Sequence, residues 1–260
     1  MKIAQKKINY RIAVLLALLI LVACEKDTDY KGLTGQIIGK MYLYDVNGGP
    51  VIDKSGVNII LEGSNPHIAT ISDENGDFII KDIKSGTYNI IFEKIGYCTN
   101  KIIGGQIIGG NKPIALHSAL YEKTNNKIDS LKIYDIDNFR EVELLITGIL
   151  SDTEERSSRS SRYFLSNSPE ISYMNYVSSG FTYNNMRSGL GYNMSFRLII
   201  DTVKFPIGSE LYILAFPAIE SYQSFIDINT GKIIFTSINI DKPSNIASFI
   251  VPNPKINNYQ

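Results

Sequence analysis

Residues 70–90 read TISDENGDFIIKDIKSGTYNI, in which two turn signals separate short runs of β-branched and aromatic residues. In the first turn Asn75 precedes Gly76, and this pair adopts the positive φ angles of a tight hairpin at little cost. The second turn is Ser85-Gly86, and apolar residues then alternate with polar ones along residues 87–94. Turns this close together predict antiparallel strands and an all-β fold.

The same signals continue on both sides of this stretch. Short apolar runs are separated by Gly, Asn, Asp and Pro, and no stretch keeps a helical apolar period over several turns. We predict strands in a first unit over residues 35–44, 57–61, 67–72, 77–80, 87–94 and 113–117. A second unit is predicted to contain strands over residues 127–134, 141–150, 162–165, 195–200, 210–216, 232–239 and 247–251. Strands of this length and number predict two tandem β-sandwich domains.

The turns and core positions of the first unit form an ordered motif. Its four parts are Gly56-Val57-x-Ile59-x-Leu61, Thr70-x-x-Asp73-x-x-Gly76-x-Phe78, Ile83-x-x-Gly86-x-Tyr88-x-Ile90 and Gly96-Tyr97. This motif resembles the carboxypeptidase regulatory-like domain, a seven-stranded sandwich related to transthyretin. The resemblance implies such a sandwich over residues 34–118, in a module that accompanies other domains and carries no zinc chemistry itself.

The second unit has a motif of its own, Gly208-Ser209-Glu210-Leu211-Tyr212. It resembles the late "Gly-x-x-x-Tyr" strand start of fibronectin type III and immunoglobulin-like sandwiches, in which the tyrosine pins the corner before the strand. The resemblance implies a sandwich of that class over residues 119–252. Residues 253–260 are then a C-terminal tail.

The N-terminal segment has the zones of a secretion signal. Four positive residues precede an unbroken apolar run over residues 12–23. A helix of that length spans about 18 Å, whereas the hydrocarbon core of a membrane is about 30 Å thick. We therefore predict a signal peptide over residues 1–23 that is cleaved rather than retained as a membrane-spanning helix.

The segment Leu21-Val22-Ala23-Cys24 resembles the lipobox of bacterial lipoproteins. The resemblance implies that Cys24 is acylated and becomes the first residue of the mature chain; an ordinary signal peptide beside an unmodified cysteine is the alternative. The following Glu25-Lys26-Asp27 resembles the signal that sends Bacteroidetes lipoproteins to the outer face of the outer membrane. It implies a protein held at the cell surface by its lipid, with residues 24–33 as a tether.

Charge and cysteine content argue against a nucleic-acid partner and against stabilisation by a disulfide bond. Removal of the signal peptide leaves 22 Lys and Arg against 26 Asp and Glu, a net charge of −4. We expect no nucleic-acid partner, because that needs a basic face. With Cys24 acylated, Cys98 has no cysteine to pair with, and we expect a buried, unreactive core residue. A reactive thiol is the alternative.

No catalytic constellation stands out, so we predict a protein that is not an enzyme and needs no cofactor or metal. His67 and His117 are the only two histidines, and neither belongs to a zinc-ligand motif. The Gly-x-Ser-x-Gly elbow of many hydrolases does not occur. The segment 73–77 shares residue types with a calcium loop, but its glycine is fourth rather than sixth. A β-turn is expected there, with calcium binding as the alternative.

Two segments of the second unit carry candidate ligand-binding residues. Residues 173–192 are rich in Tyr, Asn and Ser, the mixture of adaptable binding loops, and their rings could stack on sugars or cover a protein. The alternative is that these rings fill the core. Residues 151–161 and the adjacent arginine could form a hairpin tip that meets an anionic glycan or lipid headgroup, or a merely solvated tip. The candidates are Tyr173, Tyr176, Tyr183, Tyr192, Arg156, Arg159 and Arg162.

The leading functional hypothesis is a non-enzymatic, membrane-anchored lipoprotein that displays β-sandwich interaction modules at the cell envelope. One alternative is a glycan-binding accessory of an outer-membrane uptake system. Another is a scaffold or adhesin subunit that binds a protein partner through sheet edges. In addition, Asp129-Ser130-Leu131 and Asp201-Thr202-Val203 resemble the O-glycosylation sites of exported Bacteroidetes proteins.

Overall fold

The computed structural model describes residues 33–253, apart from residues 125, 137–142, 152–159, 184–185, 189–190 and 222. Side chains are not described for residues 134–136, 143–151, 186–188 and 191–196. The predicted signal peptide, Cys24, the tether up to residue 32 and the tail from residue 254 therefore lie outside the described residues. Within the described ranges, no helix has the length and hydrophobicity needed to span a membrane.

The first sandwich has seven strands in two sheets; six of these strands overlap the predicted ones, whereas the strand Asn100–Ile107 was not predicted. They are β1 (Thr34–Tyr44), β2 (Asn58–Glu62), β3 (Ile68–Ile71), β4 (Asp77–Lys84), β5 (Gly86–Glu93), β6 (Asn100–Ile107) and β7 (Ile114–Tyr121). One sheet has the strand order β4-β1-β7 and the other the order β3-β2-β5-β6. β1 runs antiparallel to β4 and parallel to β7. β7 continues to residue 121, beyond the predicted domain boundary at 118.

Alternate residues of these strands meet in one apolar core. Ile37 and Leu43 of β1, Ile59 of β2 and Phe92 of β5 belong to it, and each is at most 1% exposed. Full burial of side chains of this size contributes about 1.5–3 kcal/mol each. Ile90 shares the inward face of β5 with Phe92, which confirms the alternation predicted for residues 87–94.

The turn after β3 joins the two sheets. The Asp73 carboxylate accepts hydrogen bonds from the backbone N–H groups of Asn75 (2.9 Å) and Asp77 (2.8 Å) and so closes the turn with its own side chain. Gly76 has a φ of +85°, and its carbonyl accepts a hydrogen bond from the Met41 N–H at 2.7 Å. The predicted β-turn is thus confirmed, and it also ties β1 in place.

The Gly104-Gly105 pair belongs to a strand that is not among those predicted from the sequence. It lies inside β6, where the register against β5 shifts opposite Asn89. Gly104 has a φ of +70°, and its N–H donates to the Asn89 Oδ1 at 3.1 Å. The pair therefore forms a β-bulge, the other role that glycine takes within a strand.

The described residues of the second sandwich form two four-stranded sheets and a separate hairpin. Its strands are β8 (Lys127–Ile136), β9 (Glu143–Ser151), β10 (Ser160–Ser166), β11 (Ser178–Tyr183), β12 (Met186–Ser188), β13 (Gly191–Ile199), β14 (Glu210–Ala218), β15 (Ser224–Ile226), β16 (Ile233–Phe235) and β17 (Ala247–Ile250). The sheet orders are β12-β13-β9-β8 and β11-β10-β14-β17, and β15 pairs with β16. The all-β prediction is confirmed.

Three details of the second unit differ from expectation. The segment 173–192, which has the composition of an adaptable binding loop, contains the strands β11 and β12. The strand predicted over residues 232–239 is reduced to β16, after which the chain turns. Tyr212 donates its hydroxyl to the Glu210 carboxylate at 2.7 Å, two residues away on the same strand, instead of pinning the corner before the strand.

The sheet β11-β10-β14-β17 is covered on both faces. Leu211 and Ile213 of β14 pack into the core shared with the other sheet, whereas Leu214 and Phe216 belong to a second core on the opposite side. Residues 167–177 and 219–240, here called the outer layer, cover that side and contribute Ile171 and Ile238 among others. An ordinary sandwich leaves this face to solvent, so the second unit has a third layer.

Candidate functional site

The outer layer is built on a cluster of aromatic rings. Phe164 of β10 is fully buried at its centre, with ring centroids of Tyr176, Phe216 and Phe235 at 4.9, 5.7 and 6.1 Å. The planes of these ring pairs are inclined at 61°, 83° and 54°. Inclined aromatic pairs at these distances contribute about 0.5–1.5 kcal/mol each, in addition to the contribution of the area that they bury. The Tyr176 hydroxyl donates to the Ile233 carbonyl at 2.8 Å and so joins the two segments of the outer layer.

The outer layer also contacts the first sandwich. The Cys98 thiol lies 3.3 Å from the Ile238 carbonyl oxygen, and the Asn239 side-chain amide donates to the Thr124 carbonyl at 2.8 Å. Lys123 forms an ion pair with Asp241 at 2.6 Å. Among the described residues, the outer layer and the adjoining Asp241 therefore contact the first sandwich.

A cavity of about 280 Å³ lies at this contact, here called the inter-sandwich cavity. The first sandwich contributes Ile91, Cys98, Thr99, Lys101 and Lys123 to its wall, and the outer layer contributes Tyr173, Phe225, Ile234, Phe235, Thr236, Ile238 and Ile240. The wall is mostly aliphatic and aromatic, with a few polar groups. Its size lies just below the range of about 300–1,000 Å³ that is usual for ligand pockets.

The charges at the cavity are paired. Lys101 forms an ion pair with Glu62 at 2.6 Å, and its hydrogen bond is the main cause of the lowered pKa of that carboxyl. Burial raises the pKa of the Cys98 thiol to about 11, so the thiol stays protonated at neutral pH. Cys98 is 5% exposed, which agrees with the expectation of an unreactive core cysteine. The cavity thus offers an apolar interior with protonated or paired groups.

The candidate tyrosines are scattered rather than gathered in one site. Tyr176 is 8% exposed and belongs to the aromatic core, so it is not a binding residue on the surface. Tyr173 lines the inter-sandwich cavity. Tyr183 is 51% exposed, and its hydroxyl bonds the Glu220 carboxylate. The backbone of Tyr192 lies in β13, and its side chain is outside the described residues.

Arg162 does not lie on a hairpin tip. It belongs to β10, directly opposite Phe181 of β11 and Phe216 of β14, on the face that the outer layer covers. Its guanidinium carbon lies 3.6 Å from the centroid of the Phe235 ring and 5.3 Å from that of Phe181. Burial lowers the pKa of Arg162. Arg156 and Arg159 lie outside the described residues.

A row of aromatic side chains on the first sandwich was missed in the sequence. It lies on the outer face of the sheet β4-β1-β7, where the rings of Tyr42 and His117 are 6.5 Å apart and those of Tyr44 and Tyr121 are stacked at 5.1 Å. Tyr42 is 39% exposed. The alternation of Tyr42 and Tyr44 along a predicted strand was the available signal, since it places both rings on one face.

Among the residues whose side chains are described, no three His, Cys, Asp or Glu groups lie close enough together to hold a metal ion. The polar groups near the inter-sandwich cavity are instead Thr99, Thr236 and the two paired lysines. These groups can bind a ligand through hydrogen bonds and can orient it in the apolar interior.

No protein-family model and no curated protein sequence matches the chain. Among solved structures, a candidate carbohydrate binding protein from Bacteroides uniformis aligns at 11% identity and a TM-score of 0.31, over 84% of this chain and all of that one. A DUF3823 family protein from Parabacteroides merdae aligns at 11% identity and a TM-score of 0.28, over 71% of this chain and 90% of that one. A chain of a cohesin–X-dockerin complex from Acetivibrio cellulolyticus aligns at 19% identity and a TM-score of 0.28, over 34% of this chain and 58% of that one. TM-scores this low carry no argument about function.

Proposed function

We propose that this protein is a non-enzymatic binding module and that it holds a small, largely apolar ligand in the inter-sandwich cavity. The observation that carries the proposal is the cavity itself, which has an apolar wall, a few polar groups and a position between two domains. Ligand sites occur preferentially at such domain interfaces. The protonated Cys98 thiol and the paired lysines favour binding over covalent chemistry at this site.

A substitution at the exposed rim of the cavity tests this function. Thr99 is exposed and lines the cavity, so Thr99→Trp should fill the space without disturbing either core. Thr87→Trp is the matched control. Thr87 is an exposed threonine of β5, in the sheet β3-β2-β5-β6, and Thr99 directly precedes β6 of that sheet. We expect saturable binding of 2-naphthol by calorimetry in the unaltered chain and in Thr87→Trp, and no binding in Thr99→Trp. Equal affinity in both variants would overturn the proposal.

Glycan binding is a second candidate function, and the exposed aromatic row of the first sandwich favours it. Rings held on a sheet face can stack on sugar rings, as Tyr does at many recognition surfaces. Affinity electrophoresis through soluble polysaccharides should retard the unaltered chain and Tyr183→Ala, which removes an exposed tyrosine elsewhere. Tyr42→Ala should migrate freely. Retardation that survives Tyr42→Ala would argue against the row as a glycan platform.

The proposed setting is the outer membrane, with the protein held by a lipid on Cys24 and facing the cell exterior. The lipobox-like segment before Cys24 supports this, and the anchoring energy of acyl chains, at about 0.8 kcal/mol per buried methylene, is sufficient for it. Cys24→Ser should release the protein from the membrane fraction. If Cys24→Ser stays membrane-bound, the lipid anchor is wrong. The alternative of a protein partner at a sheet edge stays a prediction.

A further inference from the structure

Two exposed apolar side chains meet at the end of the first sandwich where the described chain begins. Leu33 is 45% exposed and Ile108 is 65% exposed. Ser85 joins their backbones, because its hydroxyl oxygen lies 2.8 Å from the Leu33 carbonyl oxygen and 3.2 Å from that of Ile108. Its N–H also donates to the Leu33 carbonyl at 2.9 Å. Leu33 and Ile108, here called the entry patch, are therefore fixed next to each other although they come from distant parts of the chain.

The backbone beneath the entry patch is closely packed. Gly109 follows Ile108, and a Cβ added to it would lie 2.8 Å from the Leu33 Cβ. The N–H of Gly110 donates to the Thr34 carbonyl at 2.9 Å, which binds the loop after β6 to the start of β1. Exposed apolar side chains are normal where they are scattered singly, whereas a group of them marks an interaction surface. These two side chains stand together on a defined backbone.

Basic side chains flank the entry patch. Lys84 lies opposite Thr34 in the sheet, and Lys112 belongs to the loop that follows Ile108. Both lysines are exposed, and neither forms an ion pair with a described residue. The acidic residue of β4 nearest to this end is Asp82. Apolar area beside lysines is the combination that binds the interface of an anionic bilayer, because the apolar groups leave water and the ammonium groups meet phosphates.

We propose that the entry patch rests on the surface of the bilayer that holds the lipid of Cys24, an inference that rests on the anchor described under the proposed function. Nine residues lead from Cys24 to Leu33, and they can span at most about 30 Å. So short an attachment makes the contact with the bilayer an intramolecular event, for which a small contact area suffices. Leu33 and Ile108 then enter the region between headgroups and acyl chains.

The size and the position of the entry patch favour a lipid surface over a protein. A specific protein interface buries about 800 Å² on each partner, far more than two side chains offer. The patch also lies at the end of the sandwich opposite to the one where the chain continues into the second sandwich, since β7 ends beside Tyr44 at Tyr121. Contact with the bilayer therefore leaves that opposite end free.

A single tryptophan reports on this contact, because the chain has none of its own. Ile108→Trp places it in the entry patch. Ile95→Trp is the matched control, since Ile95 is 100% exposed in the turn after β5, at the opposite end of the same sandwich. The purified protein is reconstituted into vesicles of phosphatidylcholine and phosphatidylglycerol with brominated acyl chains. We expect a blue shift and the loss of most of the fluorescence for Ile108→Trp, and emission as in water, without quenching, for Ile95→Trp.

Flotation of the vesicles distinguishes a failure of the contact from a failure of the anchor. If the protein does not float, the acyl anchor is wrong, and the Cys24 thiol is then coupled to a maleimide phospholipid so that the contact is still measured. Cys98 does not compete for the maleimide, because it is buried. Unquenched fluorescence of Ile108→Trp on floating vesicles would overturn the contact and leave the anchor intact. A blue shift without quenching would show that protein covers the patch, and would also overturn the proposal.

Further substitutions in the Ile108→Trp background test the neighbouring groups. Leu33→Glu should abolish the quenching, and quenching that survives it would show that the tryptophan inserts by itself. Lys112→Glu should reduce the quenching on anionic vesicles, because it reverses a charge beside the patch. Lys132→Glu reverses the charge of an exposed lysine of β8 and should leave the quenching unchanged. Equal quenching in the two charge-reversal variants would overturn the assignment of an anionic surface.

Discussion

Replacement of Gly76 by alanine is the sharpest test of how the first sandwich is assembled. Gly76 has a φ of +85°, and a Cβ added there would overlap the Met41 carbonyl oxygen and lie 3.2 Å from the Lys54 Cβ. The left-handed conformation disfavours alanine by about 1–2 kcal/mol. The overlap involves a backbone atom, so relief requires β1 to move, and the 2.7 Å hydrogen bond from the Met41 N–H to the Gly76 carbonyl is then lost. That loss adds about 0.5–1.5 kcal/mol.

Together the conformation and the lost hydrogen bond predict that Gly76→Ala lowers the free energy of unfolding by about 1.5–3.5 kcal/mol, of which the backbone conformation contributes about 1–2 kcal/mol. Gly63→Ala separates the two causes. Gly63 has a nearly identical φ of +81°, but no atom lies within 4 Å of its added Cβ. Gly63→Ala should therefore lower the free energy of unfolding only by the conformational contribution, about 1–2 kcal/mol.

The assay is urea denaturation followed by far-ultraviolet circular dichroism. Because urea slopes for domains of this size are about 1–3 kcal/mol per molar, the two variants should differ by roughly 0.5 M in midpoint. Equal midpoints for Gly76→Ala and Gly63→Ala would refute the reasoning. The contact between the turn and β1 would then contribute nothing, and only the φ angle would matter.

The remaining predictions concern the aromatic core, the buried thiol and one ion pair. Phe164→Ala removes a fully buried ring and should lower the free energy of unfolding by about 3–5 kcal/mol in urea. In a Cys24→Ser background, Cys98 should resist an aromatic disulfide reagent in mildly alkaline buffer, because its thiol has a pKa of about 11. The lowered pKa of Glu62 means that its stabilising pair with Lys101 is complete above the ordinary carboxyl pKa and is lost as the pH falls through the lowered value. Glu62→Gln should therefore reduce the acid sensitivity of stability below about pH 4.5, as measured by thermal unfolding.

Each of these outcomes has a control. Tyr183→Ala removes an exposed ring and should change stability by no more than about 0.5 kcal/mol, and a loss equal to that of Phe164→Ala would contradict a buried aromatic core. Chain unfolded in urea should react rapidly through Cys98; a native chain that reacts as fast would show an accessible thiol. Glu74→Gln changes an exposed acid in the turn and should keep the acid sensitivity of the parent. If Glu62→Gln also keeps it, the ion pair does not stabilise the fold.

The first sandwich was largely predictable because its signals are local. The Asn75-Gly76 pair and the alternation along residues 87–94 each specify a conformation within a few residues, and both are confirmed. The strand that contains Gly104-Gly105 was not predicted, and this omission has a physical reason. Glycine with positive φ serves a turn and a bulge equally well, and only the pairing partner across the sheet distinguishes the two.

The outer layer of the second sandwich was not predictable in the same way. Residues 211–219 form a nearly unbroken apolar run, which indicates a strand covered on both faces but not the segment that covers it. The covering segments have no period of their own. Tyr176 therefore resembled a binding-loop residue, and Arg162 resembled part of a charged tip. The positions of both depend on the register of β10 with β11 and β14, which is a long-range property.

The parallel pairing of β1 with β7 has a mechanical consequence. These two strands carry the chain into and out of the first sandwich, and their registers run from Ile37 with Ile114 to Tyr44 with Tyr121. A load between the N-terminus and the second sandwich pulls at the leading end of β1 and the trailing end of β7. In parallel strands these are opposite ends, so the load shears all the hydrogen bonds between them together instead of unzipping them one by one. Such a sandwich resists extension along the line that joins the start of β1 to the end of β7.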